Sequence, residues 1–418
     1  MLAGRARVED IRDVDVVDLL GRETVPPNEK LLRASIAGKS VMVTGAGGSI
    51  GSELCRQIVR LQPARLVLFE RSEAALFAVD QELQRLIRDE RADIEVVPVM
   101  GSVNHQERLL QVMRSFRVQT VYHAAAHKHV PLVEYNMIEG VYNNIFGTWR
   151  TAEAACEAGV QKFVLISTDK AVSPVNVMGA SKRFAELVLQ AMTERSAGPY
   201  FSIVRFGNVL DSSGSVVPVF REQIRRGGPV TVTHRDIIRY FMTIPEAAQL
   251  VLQAGSMCRG GDVFVLDMGE PVRIADLARR MINLMGLTVR DDENPDGDIA
   301  IQYTGLRPAE KLYEELLIGS NVSGTQHPMI LRAMEESLPW TRVQQFLDQL
   351  LQACARGDCE RVRQLLLESV AGYKPANGVD DLVWQAGRTL ATEAPAQGPA
   401  VPATVTDLAA RRAGAIGA

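Results

Sequence analysis

Five side chains in the middle of the chain have the types and spacing of a proton-transfer site. Thr168, Asp169 and Lys170 directly follow a short apolar run, which predicts that they lie at the carboxyl end of a buried strand. In an open α/β sheet, ligands bind at that edge. Met178 and Lys182 follow a proline-containing loop and lie one turn apart on a predicted helix. A hydroxyl, an acid and a base on consecutive residues, with a second lysine nearby, predict an active site.

The elements that must position these residues alternate in type along the chain. Short apolar runs typical of strands are separated by amphipathic stretches typical of helices, including 73–88 and 141–158. This alternation predicts βαβ units with a parallel sheet, which is an α/β fold. The predicted strands cover residues 41–43, 66–69, 94–97, 120–122, 163–166, 202–204 and 263–266.

Changes in composition predict five parts of the chain. A polar N-terminal approach segment precedes a nucleotide-binding domain, and glycine-rich and serine-rich loops mark the start of a substrate-binding part. Two closing helices follow, and the Ala/Pro-rich tail after them is predicted to be mostly disordered, with a short helix near 379–390. The predicted parts are 1–35, 36–205 with a returning segment at about 236–268, 206–320, 321–373 and 374–418.

A glycine-rich turn after the first predicted strand has the spacing of a phosphate-binding loop. Gly45, Gly48 and Gly51 open a predicted helix, where a tight turn and exposed amide groups can hold a pyrophosphate. Glu70 ends the next predicted strand, about twenty residues further on, where a dinucleotide site needs an acceptor for the adenosine ribose. This favours NAD. Arg71 could instead meet a 2′-phosphate, so NADP stays open.

Composition and charge restrict the other classes of function. The chain has 418 residues and a net charge of −4, which indicates no basic surface for a nucleic acid. Its five cysteines are scattered, which argues against a disulfide framework and fits a reducing compartment. No apolar run is long enough to span a membrane, and His127 and His129 lack the further ligands of a zinc site. We therefore expect no nucleic acid, no membrane contact by this chain and no bound metal.

Seven short motifs together have a recognisable pattern. They are 44–53 (TGAGGSIGSE), 124–131 (AAAHKHVP), 167–170 (STDK), 178–182 (MGASK), 205–209 (RFGNV), 239–243 (RYFMT) and 304–311 (TGLRPAEK). With these motifs the chain, over about residues 18–373, resembles the extended short-chain dehydrogenase/reductases of capsule, O-antigen and glycan biosynthesis. Within them it is similar to the long, membrane-anchored UDP-N-acetylglucosamine 4,6-dehydratases. Asp211 and Ala309 depart from the family pattern, because each stands where glycine is usual, on the expected substrate side.

The resemblance implies a fold and a reaction. The fold is a Rossmann-type parallel sheet with helices on both faces, plus a smaller C-terminal substrate-binding α/β subdomain. The reaction removes water from UDP-N-acetylglucosamine: C4 is oxidised to a ketone, water is eliminated across C5 and C6, and the hydride returns to C6. Because the cofactor is regenerated within the cycle, NAD or NADP is expected to stay tightly bound. Configuration at C5 is expected to be retained.

The resemblance also suggests a role for each residue of the proton-transfer site. Most short-chain dehydrogenases use a tyrosine as base where this chain has Met178, so the 4-hydroxyl proton needs another acceptor. We expect Asp169 to accept it, with Thr168 orienting the hydroxyl, and to pass it to the departing C6 hydroxyl. Lys170 would take the C5 proton, which requires a neutral lysine that is desolvated or close to other cations. Lys182 would hold the nicotinamide ribose.

Further residues are expected to contact the cofactor or the substrate. Arginine suits phosphate oxygens, although a structural salt bridge is the rival interpretation for each arginine, and Glu310 could bind the uridine ribose or pair with Lys311. The other expected cofactor contacts are Thr44, Ser49, Ile50, Ser102, Val103, Ala124, Ala125, Ala126 and Asn144. The expected substrate contacts are Lys128, Asn208, Arg239, Arg307 and Glu310.

Assembly and location also follow from the resemblance. The apolar helices 141–158 and 178–192 are expected to form a four-helix contact in a homodimer, or in a larger ring. Relatives of the long type carry transmembrane helices ahead of the catalytic part. We therefore expect either a naturally short form or, in preference, a fragment of a longer protein. The chain itself is expected to be cytoplasmic, and a full-length form could be anchored at the cytoplasmic face of the inner membrane.

Three other functions stay open. A C5-inverting 4,6-dehydratase and a UDP-sugar 4-epimerase have related motifs, although an epimerase would normally keep the tyrosine. A non-catalytic NAD(P)-binding scaffold would explain Met178, but it has no need of Asp169 and Lys170.

Overall fold

The computed structural model describes residues 25–195, 198–307, 310–315 and 322–393. Residues 1–24 of the predicted approach segment lie outside the described residues, as do Ala309 and the predicted tail from residue 394 onward. Among the described helices, none combines the length and the apolar content needed to cross a bilayer.

Sixteen strands are found in the described residues, nine of them in one large sheet. They are β1 (Ser40–Thr44), β2 (Arg65–Glu70), β3 (Glu95–Met100), β4 (Thr120–His123), β5 (Lys162–Ile166), β6 (Tyr200–Arg205), β7 (Asn208–Val209), β8 (Val230–Val232), β9 (Ile238–Arg239), β10 (Phe241–Met242), β11 (Asp262–Leu266), β12 (Val272–Arg273), β13 (Val289–Arg290), β14 (Ile299–Tyr303), β15 (Val322–Gly324) and β16 (Ile330–Ala333).

The described helices lie mostly between these strands. They are α1 (Glu29–Ala34), α2 (Ser49–Arg60), α3 (Glu73–Glu90), α4 (Gln106–Ser115), α5 (Val130–Tyr135), α6 (Met137–Val141), α7 (Gly147–Ala158), α8 (Val177–Thr193), α9 (Val216–Arg225), α10 (Ile244–Ser256), α11 (Ile274–Leu284), α12 (Trp340–Ala355), α13 (Cys359–Ser369) and α14 (Leu382–Glu393). A π-helical turn, Tyr142–Phe146, joins α6 to α7.

The large sheet is parallel except at one edge. Its strand order is β15-β16-β11-β6-β5-β4-β1-β2-β3, and β16 pairs antiparallel with both β11 and β15. Thr44 at the end of β1 lies opposite His123 of β4, and Ile166 at the end of β5 lies opposite Val204 of β6. Because parallel strands end on the same side, the loops after β1, β4, β5 and β6 meet at one edge of the sheet.

Helices cover both faces of this sheet because its strands are apolar on both sides. One face packs against α2, α3 and α10, with Leu54 and Val251 in its core. The other packs against α4, α7, α8, α12 and α13, with Leu109 and Leu347 in its core. A third core, which includes Phe220 and Met281, joins α9 and α11 to a separate three-stranded sheet of β8, β13 and β14. The chain thus has the Rossmann-type parallel sheet with helices on both faces that was predicted.

Most predicted elements are confirmed, with some changes of boundary. All seven predicted strands are present, and the third begins at Glu95 and extends to Met100. The predicted helix 141–158 is interrupted by the π-helical turn, and the two closing helices are α12 and α13. In the described part of the tail the helix runs over Leu382–Glu393. The division of the chain into domains stays a prediction.

The expected four-helix dimer contact is contradicted by the packing within one chain. Every residue of α8 from Val177 to Met192 is buried, and between 141 and 158 only Glu157 is exposed. The closing helices cover this region: Phe346 of α12 packs edge-on against Phe184 of α8, with 6.4 Å between the ring centroids. The physical reason is that the apolar faces of these helices are satisfied internally. A homodimer or larger ring stays a prediction that would need another surface.

Candidate active site

The turn after β5 brings the predicted proton-transfer residues together. Thr168 caps a single helical turn, Asp169–Ala171, by accepting a hydrogen bond from the Lys170 amide at 3.3 Å. The Asp169 amide donates to the carbonyl oxygen of Phe206, which ties the turn to the end of the neighbouring strand. The Thr168 hydroxyl donates to Asp169 Oδ1 at 2.9 Å, and Lys170 Nζ donates to the same oxygen at 3.0 Å. One carboxylate oxygen therefore links the hydroxyl to the ammonium.

Lys170 is a charged ammonium in this structure. Its Nζ also donates to Asn208 Oδ1 at 3.0 Å and lies 3.9 Å from Glu314 Oε1. Burial opposes the charge, but Asp169 and Glu314 outweigh it and raise the pKa of Lys170 above its ordinary value of 10.5. A neutral lysine is needed only when the C5 proton is taken, and without substrate the two carboxylates beside Lys170 favour its charged form although burial and Arg239 oppose it. The predicted role of Lys170 stays a prediction.

Asp169 lies behind the wall of the cleft rather than in it. Thr168 and Lys170 line the cleft, whereas the Asp169 side chain is only 1% exposed. Its Oδ2 is buried and has no hydrogen-bond partner among the described residues. A proton that leaves the cleft reaches Asp169 most directly through the Thr168 hydroxyl, which already donates to the carboxylate.

The first turn of α8 presents Met178 and Lys182 to the same cleft. The helix begins there because Asn176 Oδ1 accepts a hydrogen bond from the Gly179 amide at 2.8 Å. Met178 is buried and contributes an apolar wall where a phenol would donate or accept a proton. Lys182 Nζ donates to the carbonyl oxygen of Ile166 at 2.7 Å, and burial lowers the pKa of Lys182 to about 8.

A buried ion network lies beneath this part of the site. Arg205 Nε donates to Glu186 Oε1 at 2.8 Å, and the Ser167 hydroxyl donates to the same oxygen at 2.6 Å. Arg183 donates to Glu186 Oε2 at 3.1 Å, and Arg205 also pairs with Glu335. Burial opposes the charge of Glu186, but Arg205 and Arg183 outweigh it and lower its pKa.

This network joins the turn after β5 to α8. Ser167 precedes Thr168, and Glu186 lies one turn after Lys182, so the hydrogen bond between Ser167 and Glu186 couples two walls of the cleft. Sequence reasoning missed the network. Its only signal was an arginine, Arg205, at the end of an otherwise apolar strand.

The glycine turn after β1 has the shape that a pyrophosphate needs. Gly45 has φ +65°, and a Cβ there would lie 2.7 Å from the Ala125 amide nitrogen. A Cβ on Gly51 would overlap the carbonyl oxygen of Gly45, so the strand and α2 approach too closely for any side chain. Gly48, Gly51, Ser49 and Ile50 line the cleft at the N-terminus of α2, where amide groups and the helix dipole favour an anion.

Glu70 lies beside the glycine turn, although it is not among the residues that line the cleft. Its Oε1 accepts hydrogen bonds from the amides of Arg71 and Ser72 at 2.9 Å, and its Oε2 accepts from the Gly47 amide at 3.2 Å. Three amides thus hold the carboxylate beside the glycine turn. The Arg71 guanidinium is 60% exposed and lies 3.9 Å from Glu139.

Two predicted cofactor residues, Thr44 and Ala125, lie below the cleft floor. Thr44 Oγ1 is hydrogen-bonded to His123 Nδ1 at 2.8 Å, and His123 Nε2 is 3.2 Å from Thr148 Oγ1. Burial lowers the pKa of His123 to about 3, with Lys182 contributing, so the ring is neutral. Ala125 packs against the glycine turn at Gly45. Ala124 and Ala126 line the cleft itself.

Asn144 does not reach the cleft, which corrects its predicted cofactor contact. It is fully buried in the π-helical turn, where Oδ1 accepts from the His127 amide and Nδ2 donates to the His127 carbonyl oxygen and to Ser181. Its amide group therefore fixes the loop after β4. Ser102 and Val103 also lie outside the cleft wall: Ser102 Oγ accepts from the Asn104 amide, and Val103 is a buried core residue. The predicted cofactor contacts of Ser102 and Val103 are not supported by this position.

The predicted substrate residues all line the cleft: they are Lys128, Asn208, Arg239, Arg307 and Glu310. Asn208 contacts Lys170, and burial lowers the pKa of Lys128. The Arg239 guanidinium donates to the carbonyl oxygens of Ile238, Lys311 and Leu312. Most of its N–H groups are therefore already bonded to the backbone, which fixes the segment around residues 311–312.

The Glu310 carboxylate pairs with Arg239 rather than with Lys311, and its contact with a uridine ribose stays a prediction. Its Oε2 accepts from the Arg307 amide at 3.1 Å, and its Oε1 lies 3.4 Å from Arg239 NH2. Lys311 pairs instead with Glu315 at 3.5 Å. The Arg307 side chain is exposed at the cleft mouth, which leaves it accessible to a phosphate.

Asp211, which departs from the family pattern, occupies a conformation that suits glycine. Its φ is +58°, in the left-handed region where aspartate is tolerated better than most residues. Arg221 NH1 donates to Asp211 Oδ1 at 3.0 Å and stabilises this loop from α9.

The cleft has a volume of about 850 Å³ and passes from the glycine turn, across the turn after β5, to the apolar residues Val216, Phe220 and Ile274. This size suits a ligand with several rings. His127 and His129 lie on its wall, and in the part of the chain that the structure describes no group of His, Cys, Asp and Glu could hold a metal ion.

Comparison with known proteins identifies the chain's relatives. Residues 41–335 match the family described as "Polysaccharide biosynthesis protein". The chain is 52% identical over 317 residues to the capsular polysaccharide biosynthesis protein CapD of Staphylococcus aureus, which covers 76% of this chain and 51% of CapD. It thus spans about half the length of this relative.

More distant relatives carry out two different reactions. The chain is 31% identical over 287 residues to a UDP-glucose 4-epimerase of Rickettsia canadensis, covering 68% of this chain and 79% of that protein. It is 30% identical over 293 residues to an inverting UDP-N-acetylglucosamine 4,6-dehydratase of Campylobacter jejuni, with the same coverage.

Solved structures share the fold. Pen from Bacillus thuringiensis superposes with a TM-score of 0.62 at 29% identity, covering 75% of this chain and 99% of Pen. The dTDP-glucose 4,6-dehydratase DesIV from Streptomyces venezuelae, solved with NAD bound, has a TM-score of 0.56 at 20% identity, covering 66% of this chain and 87% of DesIV. The chain belongs to the polysaccharide biosynthesis protein family and has the extended short-chain dehydrogenase/reductase fold.

Proposed function

We propose that the chain is a UDP-N-acetylglucosamine 4,6-dehydratase that retains configuration at C5 and keeps NAD bound through turnover. The observation that carries this proposal is the turn Thr168-Asp169-Lys170, which lies on the wall of a cleft shared with the glycine turn. Met178 faces the same cleft, so the proton chemistry must use this turn rather than a phenol.

The residues present fit a nicotinamide dinucleotide. The side-chain-free glycine turn would hold the pyrophosphate, Glu70 the adenosine ribose, and Lys182 the nicotinamide ribose. When bound, the nicotinamide supplies an acceptor for the C4 hydride and later the donor of a hydride to C6. The Glu70 carboxylate would repel a 2′-phosphate, which supports NAD over NADP.

The 4-hydroxyl proton would leave through Thr168 to Asp169. The Thr168 hydroxyl lines the cleft and donates to Asp169 at 2.9 Å, so it can pass a proton inward while it accepts one from the sugar. Asp169 would later return this proton, by the same route, to the C6 hydroxyl as it departs. The O4 proton thus ends in the water that is released.

Lys170 would remove the C5 proton. Its Nζ lies at the cleft wall next to Asp169, and the ketone at C4 makes the C5 proton acidic enough for an amine to accept. If the same nitrogen returns the proton from the same side, configuration at C5 is retained. Because Lys170 starts as an ammonium, it must first give up a proton.

The proposed substrate is supported by the shape and charge of the rest of the cleft. Lys128 and Arg307 would meet the diphosphate, and the apolar residues around Phe220 would surround the uracil. We also propose a cytoplasmic reaction, which is supported by five cysteines that are all free thiols.

A UDP-sugar 4-epimerase is the second candidate, because relatives at about the same identity catalyse that reaction. It is less well supported, because an epimerase needs hydride and proton transfer at C4 but has no use for a base at C5, which is the role proposed for Lys170.

Incubation with UDP-N-acetylglucosamine in deuterated water, followed by NMR, tests the proposal. We expect a 6-deoxy-4-keto sugar with deuterium at C5 and a coupling at H5 that reports retained configuration. An inverted C5 would identify the other dehydratase class, and UDP-N-acetylgalactosamine would identify an epimerase. Absence of any turnover by the wild-type protein would favour a non-catalytic scaffold.

Replacement of the base provides an independent test. Lys170→Ala should abolish product while the bound nucleotide, measured by absorbance after denaturation, stays at the wild-type level. Lys30→Ala, at an exposed position on α1, is the matched control and should keep full activity. Full activity of Lys170→Ala would contradict the proposed role.

A further inference from the structure

Glu314 places a second carboxylate beside Lys170. Its side chain is only 6% exposed, and its Oε1 lies 3.9 Å from Lys170 Nζ and 3.8 Å from Arg239 Nε. The next residue, Glu315, is 54% exposed and pairs with Lys311. Burying a carboxylate is costly unless cations compensate it, so the position of Glu314 depends on these two partners.

The proposed mechanism leaves one proton without a destination. Lys170 begins as an ammonium, yet it must be a neutral amine when it takes the C5 proton. Asp169, its nearest carboxylate at 3.0 Å, already receives the 4-hydroxyl proton. Release of the lysine proton to bulk water is hindered because the Lys170 side chain is only 19% exposed.

We propose that Glu314 is a positioning residue that holds the Lys170 ammonium and accepts its surplus proton, so that Lys170 is neutral when C5 is deprotonated. This inference rests on the proposed dehydratase function. The ion-pair distance of 3.9 Å becomes a hydrogen-bond distance by rotation of the lysine side chain toward Glu314.

Atoms and charges balance in this sequence. An N–H bond of Lys170 breaks and an O–H bond of Glu314 forms, which converts the charged pair into a neutral pair. Lys170 then uses its lone pair to take the C5 proton and later gives one of its three ammonium protons, which had exchanged with solvent before the cycle, back to C5 from the same side. Finally Glu314 gives its proton back to Lys170, so the pair ends in its initial state and no external acid or base is consumed.

The charges around Glu314 suit an acceptor of this kind. Burial raises the pKa of Glu314, and Asp169 raises it further, whereas Lys170, Arg239 and Lys311 oppose the rise. The net direction is upward from the ordinary value of 4.5, so Glu314 holds a proton more readily than an exposed glutamate. Lys170, Asp169, Arg239 and Lys311 are the charged groups with the largest effect on its pKa.

The proposal makes a specific statement about pH. Moving a proton within the pair from Lys170 to Glu314 takes no proton from solvent, so the fraction of neutral lysine is independent of pH while the pair holds one proton. Without Glu314, neutral lysine forms only by release to water. Its fraction then rises about tenfold per pH unit until the pKa of the lysine is reached.

The experiment measures kcat and KM for UDP-N-acetylglucosamine from pH 5.5 to 7.5, below the pKa of about 8 of Lys182 in the same cleft, in wild-type holoenzyme, Glu314→Gln and Glu314→Asp. We expect a flat kcat profile for wild type and for Glu314→Asp, which keeps an acceptor. Glu314→Gln should lose at least about tenfold in kcat near pH 7, with a KM within about twofold of wild type, and its kcat should rise with pH. Glu315→Gln is the matched control and should behave as wild type.

Each outcome bears on the inference. A flat profile for Glu314→Gln, or a loss confined to KM, would overturn it, because a merely structural carboxylate has no reason to change the slope. If Glu314→Gln does not fold, Glu314→Met, which has a similar volume and no charge, takes its place. An inactive wild-type protein would overturn the proposed function and this inference together, whereas an active wild type with a flat Glu314→Gln profile overturns only the latter.

Discussion

Glu186→Gln should destabilise the chain strongly, because Glu186 is the centre of the buried ion network. The side chains of Glu186 and Arg205 are 0% and 1% exposed, so the substitution leaves a buried guanidinium with one carboxylate fewer. Removing one partner of a buried pair costs about 3–5 kcal/mol. Glutamine keeps an acceptor, and Glu335 still pairs with Arg205, so we expect the lower end, about 3 kcal/mol of unfolding free energy.

The assay is chemical unfolding at pH 7, with two comparisons. Glu368→Gln breaks an ion pair with Arg361 whose side chains are 43% and 37% exposed, and it should cost less than about 1 kcal/mol. The double variant Glu186→Leu with Arg205→Met should recover none of this loss, because it also leaves Arg183 and Ser167 without their Glu186 acceptor and Glu335 without Arg205. A single Glu186→Gln variant as stable as Glu368→Gln would refute the reasoning.

The same network predicts how stability changes with pH. Because the pKa of Glu186 is lowered in the folded chain, its contribution is fully present above the ordinary value of 4.5 and is lost as the pH falls through the folded value. Wild type should therefore lose more unfolding free energy on acidification below about pH 4.5 than Glu186→Gln does.

Three further changes have defined outcomes. Gly179→Ala should lower kcat and stability because its Cβ would overlap the Lys170 carbonyl oxygen, whereas Gly387→Ala, with no atom within 4 Å, should stabilise α14 by about 0.5–1 kcal/mol. Gly51→Val should abolish copurification of nucleotide, measured by absorbance, since its side chain would overlap the glycine turn. The unfolding free energy should rise between pH 8 and 10.5, where unfolded Lys182 is charged and folded Lys182 is neutral, and Lys182→Met should remove that rise.

Local pattern was enough to predict the parts of the site that depend on neighbours in the chain. Apolar periodicity predicted the strands and hence the edge at which Thr168 and Lys170 lie. The glycine spacing predicted a turn that excludes side chains, and Gly45 and Gly51 have the close contacts that require it. These features are local because strand alternation, helix periodicity and turn conformation are set within a few residues.

Contacts between residues that are distant in the chain could not be predicted from local sequence pattern. Glu314 lies 144 residues after Lys170 in the chain, and Glu335 lies 130 residues after Arg205, so neither pair has a local signal. The two carboxylates beside Lys170 could not be predicted together for the same reason, because only Asp169 is its neighbour in sequence. Asn144 was likewise assigned to the cofactor, although the π-helical turn directs it to the backbone of His127.

The amino-acid sequence by itself determined the order of strands and helices, the glycine turn and the turn that carries Thr168, Asp169 and Lys170, since each depends on interactions between near neighbours. Tertiary structure alone decided that Asp169 and Glu314 both lie beside Lys170, that Glu186 joins the turn after β5 to α8, and that the closing helices cover α8. These depend on burial and on the distance between charges, and both are set only when separate segments pack together.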